Sequence, residues 1–349
     1  MNRLTSLALA GFGGYWAYKT LKGWSYSFRD KVCVVTGGSR GLGLVLAREL
    51  VRRGAKVAIC GRDGDELGRA FDDLSGRGGR VVAAQCDVTS QDRVNEFVAV
   101  ARQRLGPIDV LVNNAGIIGV GPLDHQTHAD YERSLQTHLW ATLFASEAVI
   151  PEMKARRAGR IVTVASFGGK VAVPHLLPYT VGKFAQVGLS SGLRAELAPH
   201  GITVTTVCPG LMRTGSHLQA EFKGRHEEEY NWFATGNAIP GLSVSAEGAA
   251  RQILAATARG DAELVITLPA KLAVIAQAVA PGLVADVLGL VNRYVLPEPG
   301  GVGPARVKGR DSRGRLPDAV TTLSDRAAAA NNETAAIGQP PLPRSAAAG

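Results

Sequence analysis

The sequence predicts an α/β protein with a doubly wound parallel sheet. Three observations predict it. Short β-branched runs alternate with amphipathic helical patterns from Lys31 to Val207, and those runs are mostly apolar, as strands covered on both faces are. A glycine-rich turn also joins the first run to the first helical pattern. Repeated βαβ units with right-handed crossovers give a Rossmann-type architecture. One such domain is expected, with an apolar amino-terminal segment and a helical carboxyl-terminal extension.

In order, Val32–Thr36, Lys56–Cys60, Val81–Cys86, Val110–Asn113, Arg160–Ala165 and Thr203–Val207 read as buried strands. Leu42–Arg53, Gly64–Leu74 and Gln91–Arg104 lie between them with helical periodicity, and longer helical regions cover Ala129–Ala155 and Tyr179–Leu197. Leu211–Leu242 breaks the rhythm, then a helix at Ala246–Ala258 precedes a last strand at Glu263–Leu268. The apolar stretch Ala270–Leu296 is interrupted by Pro281-Gly282 and reads as a helix pair. From Pro297 the chain is rich in Gly, Pro, Ala and Arg and reads as a mostly disordered tail, with a short helix around Thr321–Ala330. The expected divisions are 1–26, an apolar segment; 27–268, the catalytic domain; 269–296, the helical extension; and 297–349, the tail.

With 46% hydrophobic and 20% charged residues among 349, the chain has material for one large core. The net charge of +9 is scattered, without a basic helix interleaved with aromatics, which argues against nucleic acid as a partner. It suits a phosphate-rich small ligand. Cys33, Cys60, Cys86 and Cys208 fall in or beside strand-like runs without metal spacing, so neither a disulfide framework nor a metal site is expected. They suit a reducing, cytoplasmic compartment. Leu4 to Tyr18 is uncharged but short of the roughly 20 residues that span a bilayer, and too little apolar chain precedes Ala8-Leu9-Ala10 for a signal peptide. Two readings stand for it: an interfacial membrane anchor edged by Tyr15, Trp16, Tyr18 and Lys19, or a helix on the protein's own surface.

Thr36-Gly37-Gly38-Ser39-Arg40-Gly41-Leu42-Gly43 sits where a strand turns into a helix. Glycines allow the tight turn, and backbone N–H groups at the helix start can hold a pyrophosphate. Further along stand Asp87-Val88, Asn113-Asn114-Ala115-Gly116, a strand-terminal Ser166 and Tyr179-Thr180-Val181-Gly182-Lys183. Tyr and Lys at i and i+4 share a helix face. A phenol, ordinarily near pKa 10, needs roughly 3–4 kcal/mol of preference for phenolate to act near neutrality, and a close ammonium is expected to supply it.

These motifs, in this order, resemble the short-chain dehydrogenase/reductase family, whose glycine pattern is Thr-Gly-x-x-x-Gly-x-Gly; the resemblance runs from about Ser27 to Leu268. It implies hydride transfer between a nicotinamide dinucleotide and a carbonyl or alcohol carbon. Tyr179 would be the general acid or base, Ser166 the donor to the reacting oxygen, and Lys183 the group that shifts the phenol and binds the nicotinamide ribose. Gly37, Ser39, Arg40, Gly41, Leu42, Gly43, Asp87, Val88, Asn114, Ala115 and Gly116 would hold the cofactor, with Pro209, Gly210 and Thr214 on the nicotinamide side. One residue departs from the pattern: His138 stands where the family carries an Asn of a proton relay, so the relay is expected in altered form.

Gly61 holds the position where NAD-binding members carry an acidic residue, and Arg62 follows it. Arg40 and Arg62 together suit a 2′-phosphate, so NADP(H) is the expected cofactor. The competing reading takes Asp63 as an NAD ribose ligand. Phe167, His175, Leu176 and the aromatics Phe222, Tyr230, Trp232 and Phe233 are expected to wall a pocket for a lipophilic carbonyl compound. The resemblance implies a homo-oligomer formed through the Tyr-bearing helix. The rival function is an NADP-binding regulatory or membrane-associated scaffold protein with little turnover.

Overall fold

The computed structural model describes residues 26–238, 243–313 and 318–334. The amino-terminal segment and the end of the tail lie outside the described residues. Seven parallel strands form the main sheet: β1 (Val32–Val35), β2 (Lys56–Gly61), β3 (Arg80–Gln85), β4 (Val110–Asn113), β5 (Gly159–Val164), β6 (Ile202–Pro209) and β7 (Glu263–Ile266). Their spatial order is β3-β2-β1-β4-β5-β6-β7. Sequence order therefore reverses between β1 and β4, whose register pairs Val35 with Val112. The carboxyl ends of strands at such a switch point form a crevice between diverging loops, where ligands of open α/β sheets bind.

Helices α1 (Gly41–Arg52), α2 (Gly64–Gly76), α3 (Gln91–Leu105), α4 (His128–Leu135), α5 (Ala141–Arg156), α6 (Leu177–Leu197), α7 (His226–Ala238) and α8 (Ala246–Arg259) follow in chain order around it. Two separate apolar clusters cover the sheet. One joins Leu44, Leu46, Leu50 and Ile59 with Ile253 and Leu254 of α8. The other joins Val34, Leu111 and Ile161 with Phe97 of α3 and Val149 and Met153 of α5. Strands buried on both faces explain why their sequences read as apolar runs rather than alternating ones.

Helix starts follow local chemistry. Asp63 caps α2 by accepting from the Glu66 N–H at 2.9 Å, and Ser245 caps α8 by accepting from the Gly248 N–H at 3.1 Å. Between α4 and α5 lies one π-helical turn, Gln136–Trp140, with His138 inside it. The extra residue of such a turn re-aims side chains, which is why these turns gather at functional sites.

Two expectations need correction. The tail does not leave the domain at Pro297. Val307–Lys308 pairs with Glu221–Phe222, which in turn pairs with Gly119–Val120, and the last helix packs Ala328 and Ala329 inward. The aromatics of the irregular region wall no pocket either. Phe222, Tyr230 and Phe233 are buried against Val120, Leu176 and Ala234 in a core of their own, with edge-to-face ring contacts. Burying three large rings against one another gains more than exposing them to a cleft would. By contrast, α9 (Leu268–Val279) and α10 (Pro281–Tyr294) stand out from the body and expose Leu272, Ile275, Val279, Leu283, Val287, Leu290 and Tyr294. Among the described residues, no helix is long and apolar enough to cross a membrane.

Candidate active site

The carboxyl ends of the strands open on a cleft of about 660 Å³. One end is lined by the glycine turn, Arg62 and Asp87; the other by His138, Tyr179 and Lys183.

The turn is held from below. The Asn114 side chain donates to the Thr36 and Gly37 carbonyls, each at 3.1 Å, while the Thr36 hydroxyl accepts from the Asn114 and Ala115 N–H groups at 3.0 and 3.2 Å. Gly37 has φ +63°, and a Cβ there would stand 2.9 Å from the Ala115 Cα. The Asn-Asn-Ala-Gly run thus clamps the turn to the end of β4, and α1 points its amino-terminal end into the cleft. A helix amino terminus, a narrow glycine floor and an elongated groove suit a dinucleotide pyrophosphate.

At the adenosine end, a Cβ on Gly61 would meet the Ser39 Oγ at 2.7 Å. Ser39 therefore leaves no room for an acidic side chain at that position. Asp63 spends a carboxylate oxygen on its helix cap, which weakens the competing reading of it as a ribose ligand. Arg62 is exposed at the cleft edge without an ion pair among the described residues. Arg40 is engaged: it pairs with Glu66 at 2.7 Å and with Glu333 at 3.3 Å. Asp87 accepts from the N–H and hydroxyl of Thr89, which fixes the loop beside Val88.

Ser166 lies two residues past the end of β5, and its Oγ accepts from the Gly168 N–H at 3.0 Å. Tyr179, on the first turns of α6, stands beside Ser166: a Cβ on Gly168 would lie 3.3 Å from the Ser166 Oγ and 3.4 Å from the Tyr179 ring. Burial pushes the phenol up to about 12, against the lowering effect of Ser166. Lys183 is only 4% exposed; its Nζ lies 5.7 Å from the Tyr179 ring centre and donates to the Val164 carbonyl at 3.1 Å and the Gln186 Oε1 at 2.9 Å. Burial brings its ammonium down to about 7. The expectation that Lys183 lowers the phenol is thus corrected for this state. Desolvation disfavours the charged form of both groups.

His138 is fully buried beside them, its ring edge-to-face with Tyr179 at 5.5 Å between centres. Its Nε2 accepts from the Ile117 N–H at 3.3 Å, so the neutral ring carries its proton on Nδ1, which faces the Ser134 Oγ at 3.1 Å. Burial, then the neighbouring Lys183, hold its pKa well below the usual histidine value.

Of the loop after β6, Met212 and Thr214 line the cleft, whereas Pro209 and Gly210 do not. A Cβ on Gly210 would meet the Thr267 hydroxyl at 2.3 Å, so its place is in packing. His175, expected at the substrate, is turned away. It has φ +61° and its Nδ1 lies 2.7 Å from the buried Glu229, which also accepts from the Trp232 indole. The sequence reading missed Ile117, Ile118, Gln219, Glu221, Lys308, Arg310 and Glu333, all of which line the cleft. The last three arrive from the tail, for which no local sequence pattern signals a return.

The short chain dehydrogenase family model matches residues 31–223. The chain belongs to the short-chain dehydrogenase family. Gluconate 5-dehydrogenase of Gluconobacter oxydans is 36% identical over 189 residues, 54% of this chain and 74% of that protein. Dehydrogenase/reductase SDR family member 4 of Sus scrofa is 35% identical over 202 residues, 58% of this chain and 72% of that protein. Among solved structures, an actinorhodin polyketide ketoreductase with NADPH superposes with a TM-score of 0.61 at 30% identity, covering 68% of this chain and 95% of that one. This short-chain dehydrogenase is accordingly an oxidoreductase acting on CH–OH or C=O groups.

Proposed function

We propose that this short-chain dehydrogenase interconverts a lipophilic carbonyl compound and its alcohol with NADP(H). The observation that carries the reading is the placement of Tyr179 and Lys183 on one cleft, with Ser166 beside Tyr179 and a clamped glycine turn at the cleft's other end. When bound, the dinucleotide supplies or takes the hydride. Tyr179 gives the proton to the carbonyl oxygen in reduction and takes it back in oxidation, and a phenol held near 12 is loaded for giving. Ser166 orients that oxygen and steadies its developing charge. Lys183, beside both, is the reserve from which the phenol is reprotonated, and His138 fixes the floor under it. Ile117, Ile118, Met212 and Ala220 offer the apolar lining that supports a lipophilic substrate.

Gly37, Ser39, Arg40, Gly41, Leu42, Gly43, Arg62, Asp87, Val88, Asn114, Ala115, Gly116 and Thr214 belong to the cofactor side of this proposal. NADP(H) over NAD(H) is supported by the Ser39 contact that bars an acid at Gly61, by the exposed Arg62, and by the NADPH of the related ketoreductase structure. A homo-oligomer is supported by Leu177, Val181 and Phe184, an exposed apolar stripe on α6. A cytoplasmic enzyme touching a membrane completes the reading, supported by the exposed apolar faces of α9 and α10.

The test is a screen of ketones and aldehydes following NADPH absorbance, with Tyr179→Phe as control. The variant is expected to lose at least about a hundredfold in rate while still binding NADPH. Full activity in Tyr179→Phe, or equal affinity of the parent for NADPH and NADH, would overturn the corresponding part.

A further inference from the structure

The last described helix, α11 (Asp318–Ala330), ends in Asn331-Asn332-Glu333, and these three residues lie against the glycine turn. Small residues bring the helix close. A Cβ on Gly215, at φ +89°, would stand 2.4 Å from the Ala328 Cα. Arg48 then donates to the Ala330 carbonyl at 3.0 Å. The Asn332 amide donates to the Ser39 and Glu66 carbonyls, each at 2.8 Å, and its oxygen accepts from the Arg69 Nε at 2.8 Å. Asn332 is fully buried with its bonds satisfied, so the segment is docked by design of its side chains rather than resting on the surface.

What it places there is an acceptor and an acid. The Gly41 N–H, at the start of α1, donates to the Asn331 carbonyl at 2.8 Å. The Glu333 carboxylate is 6% exposed, lines the cleft, pairs with Arg40, and leaves its Oε2 without a hydrogen bond. A Cβ on Gly41 would meet the Glu333 Oε1 at 2.8 Å. A helix amino terminus, a free N–H and an arginine are the groups an incoming phosphate would use. Here a carbonyl and a carboxylate of the same chain have them.

We propose that residues 318–333 are an internal plug: they fill the anion-binding end of the cleft, and dinucleotide phosphates enter only as the arm withdraws. The inference rests on the dinucleotide reading of the glycine turn given above. The Asn331 carbonyl and the Glu333 carboxyl fill the space and take the partners a phosphate would use, so arm and phosphate exclude each other. An arm that is docked most of the time lowers the apparent affinity by the docked-to-free ratio.

The test uses the full chain and two arm variants, neither of them at a proposed cofactor or catalytic residue. Asn332→Ala removes three anchoring hydrogen bonds, and Ala328→Asp puts a carboxylate into the contact with Gly215. Thermal unfolding of each confirms a folded domain, and NADPH binding is titrated by nucleotide fluorescence. Both variants are expected to lower the Kd at least threefold. Hydrogen exchange in 322–333 of the parent is expected to quicken when NADPH is added. An unchanged Kd overturns the plug while leaving the enzymatic reading in place. A raised Kd, or slower exchange on binding, makes the arm part of the cofactor site and also overturns the plug. Failure of parent and variants alike to bind any nicotinamide dinucleotide overturns both.

Discussion

Replacing Lys183 with methionine is expected to abolish turnover and yet stabilise the nucleotide-free protein at low pH. The folded pKa of about 7 against an ordinary 10.5 corresponds to about 5 kcal/mol. Below pH 7 both folded and unfolded chains hold the proton, so the folded state carries that whole penalty. Between 7 and 10.5 only the unfolded chain holds it, and stability recovers by about 1.4 kcal/mol per pH unit. Methionine fills similar space with no charge, but it strips the Val164 carbonyl and the Gln186 Oε1 of their donor, at about 1–2 kcal/mol each. The balance is a gain of about 1–3 kcal/mol at pH 6.5. By pH 9.5 about 3 kcal/mol of the penalty has gone, and the same variant is neutral or less stable than the parent. Urea unfolding of both proteins at the two pH values, followed by tryptophan fluorescence, measures this. A variant less stable than the parent by one constant amount at both pH values would refute the reasoning.

Two other substitutions separate packing from chemistry. His138→Ala strands the Ile117 N–H and the Ser134 hydroxyl and should cost about 2–4 kcal/mol in urea unfolding; His138→Asn should leave the pH–rate profile around the usual histidine range unaltered, because burial and Lys183 disfavour the charged ring. A limb near pH 6.5 present in the parent and absent from His138→Asn would contradict this. Gly61→Asp collides with Ser39 and should cost about 1–3 kcal/mol, whereas the pair Ser39→Gly, Gly61→Asp should recover stability and shift preference from NADPH toward NADH. An unchanged cofactor preference in the double variant would tell against the adenosine-end geometry.

The sheet was legible in the sequence because its central strands are covered on both faces, so Val32–Val35, Lys56–Gly61 and Val110–Asn113 advertise themselves as apolar runs bounded by turns. The glycine turn was legible for a related reason: its contacts to Asn114 are local to the ends of two neighbouring strands. Charge states were not legible. Tyr179 and Lys183 share a helix face as spacing requires, but how far desolvation disfavours their charged forms depends on burial, which spacing does not encode. The aromatics of Leu211–Leu242 look the same in sequence whether they face a ligand or one another; only the return of Val307–Lys308 onto Glu221–Phe222 closes the core over them. The tail was misread because its composition resembles disorder. Its stability comes from long-range hydrogen bonds such as Asn332 to Ser39, 293 residues apart.

That long-range contact also gives the arm a pH dependence. Burial raises Glu333 from 4.5 to about 7, only partly countered by Arg40; Glu66 and Arg310 are the other charges facing it, and the Gln219 amide bonds its backbone carbonyl. A carboxyl raised on docking binds a proton as it docks. Its contribution is therefore complete below about 4.5 and is lost as pH rises through 7. Where the docked form dominates, the apparent Kd for NADP⁺ should fall with pH by about fivefold between 6 and 7 and by about twofold more to pH 8, then level off. Glu333→Gln removes the titrating group while keeping its shape, so its Kd should lack that fall and should exceed the parent's at pH 8. Comparing the two proteins cancels the titration of the nucleotide itself and of every other shared group. A ratio of Kd values that stays flat from pH 6 to 8 would mean that the acid at the glycine turn does not govern whether the arm stays docked.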